Sequence, residues 1–351
     1  MAYISFQPSD YFSTKLYTGT GSSNVLTGIG FQSDLIWTAT RNEAVIHPIN
    51  NSVNGISSYL RSNASDTLET GQTQTITAQS SDGYTVGTED RFNQSGNTFV
   101  SWNWKVDSTS STNSVGSVDV DLAVNTTAGI SIGTYTGDGA DGATFGHGLG
   151  VIPSVVLVKS TDNATNWYMK HNSQTSNNNL ILDSTSAEIN ASGYNAGIID
   201  DLASTTTWTM TKSGATDPTN NNGSGREYVV YTFAAKKGFS SFGSFTGNGN
   251  ADGSFFYTGF RPAFILAKNI NSVSDWMILD DKRLGYNEAN YRFKANTTVA
   301  EASDVSGDIL SNGFKIRTTS SDWNTSGDLY VYLAFAEFPL VSSNDMPGVA
   351  R

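Results

Sequence analysis

Histidine occurs three times in the chain, as His47, His147 and His171, and cysteine is absent. The missing cysteine excludes a thiolate metal site, a cysteine nucleophile and a disulfide framework together. No histidine pair has the H-E-x-x-H spacing of a zinc helix, and no G-x-S-x-G elbow presents a serine nucleophile. His147, within Gly146-His147-Gly148, reads as a turn residue. The adjacent carboxylates Asp200-Asp201 and Asp280-Asp281 have the residue types of a glycosidase pair. Neighbours along a strand point to opposite faces, so neither pair is expected to converge on one bond. The chain is therefore expected to be non-enzymatic.

Two further motifs mimic ligand sites. Gly137-Asp138-Gly139-Ala140-Asp141-Gly142 satisfies G-x-G-x-x-G. A dinucleotide site needs that turn to open a helix, and Ala143-Thr144-Phe145-Gly146-His147-Gly148 is not a helix start. Asn248-x-Asn250-x-Asp252-Gly253 resembles half of a calcium loop, but its twelfth position is Gly259 rather than a bidentate acid. A structural cation at Asp138 and Asp141, or at Asn248 and Asp252, is the metal candidate; otherwise no cofactor is expected. Among the tryptophans, Trp208 and Trp323 lie in polar Ser/Thr/Asn surroundings and are the candidate glycan-binding residues. The competing role for each is a partly buried cross-strand aromatic.

The elements that would position these residues repeat. Tyr17-Thr18-Gly19-Thr20-Gly21 recurs as Tyr135-Thr136-Gly137-Asp138-Gly139 and as Phe245-Thr246-Gly247-Asn248-Gly249. After each comes an apolar strand, Leu35-Ile36-Trp37, Val155-Val156-Leu157-Val158 or Phe264-Ile265-Leu266-Ala267. Trp167 and Trp276 follow in the second and third copies, and the first copy lacks this tryptophan. Turn-and-strand signals close the pattern at Asp82-Gly83-Tyr84, Ser192-Gly193-Tyr194 and Asn312-Gly313-Phe314. Each copy ends on its most apolar strand, within 98–104, 227–233 and 329–335. There Val100, Trp102 and Trp104 share a face, matched by Val229, Tyr231, Phe233 and by Val331, Leu333, Phe335. That face is expected to be the inner wall of a core. The aromatic opposite face (Phe99, Tyr228, Tyr330) makes the strand central and covered on both sides.

Long amphipathic helical runs are missing, and short β-branched and aromatic runs alternate with Gly/Asn/Asp turns. The fold expected is all-β: three tandem antiparallel β-sandwich domains, jelly-roll or concanavalin-like, related by internal repeat. Their boundaries are 1–107, 108–237 and 238–351, the last with a C-terminal tail. Residues 108–116 read as a linker, followed by a half-buried strand through Val118, Val120, Leu122 and Val124. The junction near Lys237-Gly238 is shorter, and Val341–Arg351 reads as a docking tail.

Composition agrees with such a surface. Charged residues are 15% of the chain, against about 25% in an average protein, and Ser, Thr, Asn and Gly fill the gap. A net charge of −12 argues against a nucleic-acid partner or an anionic membrane. No apolar run is long enough to span a bilayer, and the first residues lack the basic flank and apolar stretch of a signal peptide.

The stretches Tyr11–Gly19, Gly28–Trp37 and Val100–Lys105 resemble a repeat domain of virion structural proteins of marine tailed phages, cyanophages and related viruses. Asn125–Ile132 and Gly146–Pro153 match it in the second copy, and the third matches through its repeat kinship. The first copy departs in having Ser33 where the others carry Pro153 and Pro262. The resemblance implies a non-enzymatic bacteriophage component at the virion surface, of tail-fibre or receptor-binding type. A capsid decoration or knob protein is the alternative, and a surface-glycan depolymerase a third. The implied partners are other virion proteins of tail or capsid, a host surface glycan, and further copies of the chain; neither nucleic acid nor membrane insertion is implied.

Overall fold

Among the described residues the strand pairs all run antiparallel, and their short β-branched and aromatic runs are the residue types that favour strands. The computed structural model describes residues 7–106, 109–190, 197–212, 220–283 and 289–338. The expected turn at Ser192-Gly193-Tyr194 and the tail Val341–Arg351 lie outside these residues.

In the first third, a five-stranded sheet runs β1 (Phe12–Thr18), β8 (Thr98–Trp104), β3 (Leu35–Thr40), β4 (Pro48–Asn51), β5 (Tyr59–Arg61). A smaller sheet runs β2 (Asn24–Leu26), β7 (Gly83–Val86), β6 (Ile76–Ser80). The second third repeats the larger order as β11 (Ile130–Thr136), β19 (Glu227–Phe233), β13 (Val155–Ser160), β14 (Tyr168–His171), β15 (Asn178–Ile181). It extends that sheet by β16 (Ile189–Asn190) at one edge and by β10 (Val120–Asn125) and β9 (Ser111–Asn113) at the other. Its smaller sheet is β12 (Thr144–Gly146), β18 (Thr207–Thr211), β17 (Ile198–Asp201). The last third has β20 (Ser240–Thr246), β27 (Leu329–Phe335), β22 (Phe264–Asn269), β23 (Met277–Asp280), β24 (Ala289–Lys294). There the sheet continues directly into β25 (Ala302–Leu310), β26 (Gly313–Ile316) and β21 (Phe255–Tyr257). The same five-plus-three strand order thus occurs three times, in stretches called sectors below. Two single-turn helices, α1 (Asp90–Asn93) and α2 (Ser321–Asn324), precede β8 and β27.

One expected linker contains a strand. Ser111–Asn113, placed in a linker by its Ser/Thr content, is a strand paired to β10. The hydroxyl of Thr112 donates to Asp121 at 2.6 Å, and Val118 forms a parallel bridge with Phe145. Small polar residues suit an exposed edge strand because solvent takes their outer side.

The core also differs from expectation. Val100, Trp102 and Trp104, with Val229, Tyr231, Phe233 and Val331, Leu333, Phe335, do share an inner wall, but the core behind it is common to all three sectors. Phe12 packs against Trp104 at 5.1 Å and against Phe335 of the third sector at 5.8 Å; Phe233 of the second sector meets Phe335 at 5.8 Å. The cores between larger and smaller sheets lie on the opposite face and are separate, one around Ile36, Tyr84 and Phe92, one around Tyr135, Trp208 and Tyr228, one around Phe245, Phe314 and Tyr330. Both faces of β8, β19 and β27 are buried, as their sequences predict.

The recurring Tyr/Phe-Thr-Gly-x-Gly motif now has a cause. Its ring stacks on the neighbouring strand: Tyr17 on Phe99, Tyr135 on Tyr228, Phe245 on Tyr330, at 4.9, 5.0 and 4.9 Å. A Cβ on its first glycine would lie 2.1 Å from the Gln94 carbonyl oxygen at Gly19, 2.3 Å from that of Gly223 at Gly137, and 2.2 Å from that of Thr325 at Gly247. The second glycine (Gly21, Gly139, Gly249) has φ near +67 to +73°, where a side chain is strained.

Candidate functional site

Each glycine turn is held by a buried asparagine. Asn93, Asn222 and Asn324 accept from the backbone N–H of Thr20, Asp138 and Asn248 at 2.9, 3.1 and 2.8 Å. Their amides also donate across the turn, Asn222 to the Asp138 carboxylate at 2.7 Å and Asn324 to the Asn248 side chain at 3.1 Å. Asp138 further caps the N–H of Ala140, Asp141 accepts from Lys212 N–H, and Asp252 pairs with Lys315 at 2.6 Å and Arg317 at 3.3 Å. The residues singled out for a cation are thus engaged in turn capping and ion pairs. No cluster of three metal-ligating side chains occurs among the described residues.

The glycan candidates Trp208 and Trp323 are corrected by their position. Both are buried, as are all seven tryptophans. Trp208 stacks on its cross-strand partner Phe145 at 4.2 Å, and Trp323 sits on α2 inside the third sector's core. Neither ring has a face left for a sugar. Thr207 and Thr209 lie on the half-exposed side of the strand that buries Trp208, and Asn324 beside Trp323 is itself buried in the glycine turn, so polar neighbours do not mark an exposed ring. The exposed aromatics among the described residues are instead Phe255 and Tyr257 on the edge strand β21, and Phe338 after β27.

Polar residues converge at the sector seams. The residue after β3, β13 and β22 accepts from a sister sector each time: Leu68 N–H to Thr161 at 2.8 Å, Glu188 N–H to Ile270 at 2.9 Å, Glu301 N–H to Arg41 at 3.0 Å. Those bonds run from first to second, second to third and third to first sector, so the chain closes on itself as a ring. The last residue of β4, β14 and β23 obeys the same rule with three chemistries. Asn51 donates to the Tyr231 hydroxyl at 2.8 Å, His171 Nε2 to the Tyr332 carbonyl at 3.3 Å, and Asp280 accepts from the Trp102 indole at 3.0 Å. Trp167 and Trp276 donate back across their seams to the Arg61 and Ile181 carbonyls, both at 2.8 Å. His47 stands at the missing tryptophan's place, edge-on to Phe293 at 5.4 Å. Burial first and the charge of Arg283 second hold it neutral, with its pKa lowered to about 4.

One cleft has the features of a binding site. About 230 Å³ in volume, it lies in the second sector beneath the loop before β13, lined by Ile152, Pro153, Lys170, Asn172, Gln174, Ser176 and residues 200–203. Lys170, only 3% exposed, donates to the carbonyls of Thr175 at 2.6 Å and Asn178 at 3.0 Å. Burial lowers its pKa, and Asp200, Glu188 and Asp201 oppose that shift. Asp200 accepts from Asn177 N–H at 3.0 Å and Asp201 from Ala203 N–H at 2.7 Å. Asp200 and Asp201 line this one cleft, contrary to the expectation from strand alternation, because the ladder shifts register between Ile199 and Asp201. Asp280 and Asp281 do diverge: Asp280 faces the seam, while Asp281 pairs with Arg261 at 3.3 Å. Nothing in the sequence near Lys170 signals the cleft, since its walls come from three chain segments far apart in the sequence: the loop before β13, the end of β14 with its following loop, and the end of β17 with its following loop. His147 is a buried turn residue, its Nδ1 accepting from Leu149 N–H at 3.2 Å.

No described helix is long and apolar enough to cross a membrane. The family DUF7483, a domain of unknown function, matches residues 7–339. No curated protein and no solved structure matches the chain.

Proposed function

The chain belongs to the DUF7483 family, and on that premise we propose that it is a non-enzymatic structural component of a bacteriophage particle, of tail-fibre or receptor-binding type. We read the three sectors as β-sandwich units of an internal repeat, bounded at 1–107, 108–237 and 238–351. The supporting observation is ring closure. Three stretches with one strand order are locked by equivalent bonds around a common apolar core, which suits a rigid module that carries load or presents loops. The phage context rests on the sequence resemblance. The partners proposed are other virion proteins and a host surface glycan, with no cofactor.

A capsid decoration role is the second reading. A ring of three similar sectors matches a threefold position of a shell without needing three chains. Mass spectrometry of purified particles, followed by reconstruction, tests both. The chain is expected in the virion, with its address on tail or shell choosing between the readings; its absence from the particle would overturn them. Hydrolysis of host polysaccharide by the purified chain would replace both with the depolymerase reading.

A further inference from the structure

The tie between Lys170 and its hairpin loop has a counterpart in the first sector. There Asn50, at the equivalent strand position, donates to the Ile56 and Ser58 carbonyls, both at 2.9 Å. An uncharged amide is therefore enough to hold such a loop. Lys170 adds a positive charge and a third hydrogen that finds no acceptor among the described residues. Burying a charge is costly unless something uses it.

Around that ammonium the cleft offers unspent hydrogen-bonding groups. Asp200 and Asp201 each have one carboxylate oxygen engaged by a backbone N–H and the other without a partner among the described residues. The Asn172 amide and the Ser176 hydroxyl line the cleft, exposed and without a described protein partner. Ile152, 54% exposed, forms an apolar lip with Pro153 and Leu202. The ligand matching this set has several hydroxyls that both donate and accept, together with an apolar C–H face. Charge narrows the class: one ammonium faces the carboxylates of Asp200, Asp201 and Glu188, so an anionic ligand is repelled. At about 230 Å³ the cleft exceeds a cavity of about 150 Å³ that accepts a benzene ring, so it has room for one sugar ring with the rest of a chain in solvent.

We infer that this cleft binds a single ring of a neutral sugar, with Asp200 and Asp201 accepting from its hydroxyls, Lys170 and Asn172 donating to them, and Ile152 against its C–H face. The inference rests on the receptor-binding reading for its biological sense, but its chemistry is tested on the isolated chain.

Saturation-transfer NMR and calorimetry on the full chain would use methyl glycosides of glucose, galactose, mannose and N-acetylglucosamine, with glucuronate and N-acetylneuraminate as charged counterparts. At least one neutral glycoside is expected to bind at millimolar affinity, and the acidic sugars about tenfold more weakly or not at all. Asp201→Asn keeps the oxygen that receives Ala203 N–H, so it is expected to fold normally while losing about tenfold in affinity. Asn172→Ala, on the exposed rim, is expected to weaken binding with an unchanged melting temperature. No binding by any neutral glycoside at about 50 mM would overturn the inference. So would binding that both variants leave intact, or a preference for the acidic sugars. Such failures leave the chain's presence in the particle untouched, whereas absence from the particle leaves the measured sugar affinity untouched.

Discussion

Asn51, His171 and Asp280 occupy one structural position, yet they meet the sister sector with an amide, an imidazole and a carboxylate. His171 is the member whose side chain, free in solution, titrates near neutrality. Its Nδ1 accepts from Ser173 N–H at 3.1 Å, so Nε2 carries the proton donated to Tyr332 and the ring is neutral. Burial lowers its pKa to about 4, partly opposed by the bond to the Tyr332 carbonyl. A histidine with a folded pKa below its unfolded value takes up protons preferentially when unfolded, so its contribution is lost as pH falls. Relative to His171→Gln, the wild type is expected to lose about 1.4 kcal/mol of stability per pH unit across the window from about 6.5 down to about 4. Urea midpoints of both proteins across that window test this; a constant difference would refute it. None of these partners was legible in the sequence, because each lies in another sector. The turn residues were legible, since a Gly-x-Gly repeat reports a local backbone need.

At the scale of elements, the seams differ more than the strands they join. Between first and second sectors Lys159 donates to Ser65 O at 3.3 Å, and between second and third Lys268 donates to Thr185 O at 3.4 Å. The third seam, back to the first sector, replaces this with ion pairs. Arg41 grips Glu301 through two bonds of 3.0 and 2.9 Å, and the fully buried Arg283 reaches Asp280 at 2.6 Å and Glu301 at 3.2 Å. Removing one partner of a buried pair leaves the other charge uncompensated, which costs about 3–5 kcal/mol. Arg283→Met preserves apolar contact with Phe293 but strands the Asp280 carboxylate. It is expected to cost about that much in denaturant unfolding, and Asp280→Asn on the same background should recover most of it. Equal stability of Arg283→Met and wild type would show the network to be dispensable. The sequence marked two of the three seams through Trp167 and Trp276. It hid the third because His47, one residue before β4, shares the position but not the residue type.

The whole molecule inherits its cooperativity from the shared core. An apolar cavity of about 50 Å³ among Leu35, Leu157 and Leu266 is bordered by all three sectors, so no sector can be removed without exposing aromatic surface on the others. A buried aromatic side chain contributes about 1.5–3 kcal/mol, and rings from all three sectors meet there. The chain is therefore expected to unfold in one calorimetric transition, with calorimetric and van't Hoff enthalpies equal. Three resolved transitions would mean that the sectors stand alone.

By itself the sequence determined the all-β character, the threefold recurrence of motifs, the glycine turns and the two buried faces of each closing strand. These follow from short-range rules: period-two alternation, backbone freedom at glycine, and the poor helix propensity of Ser, Thr, Asn and Gly. Alternation reports that a face is buried and is silent about what covers it. Only the tertiary structure decided that the Trp102 face meets sister sectors while the Phe99 side meets its own smaller sheet. It alone also buried Trp208 and Trp323, and gathered Lys170 with Asp200 and Asp201 into one cleft. Each of those outcomes depends on contacts between residues far apart in the chain, which local pattern does not encode.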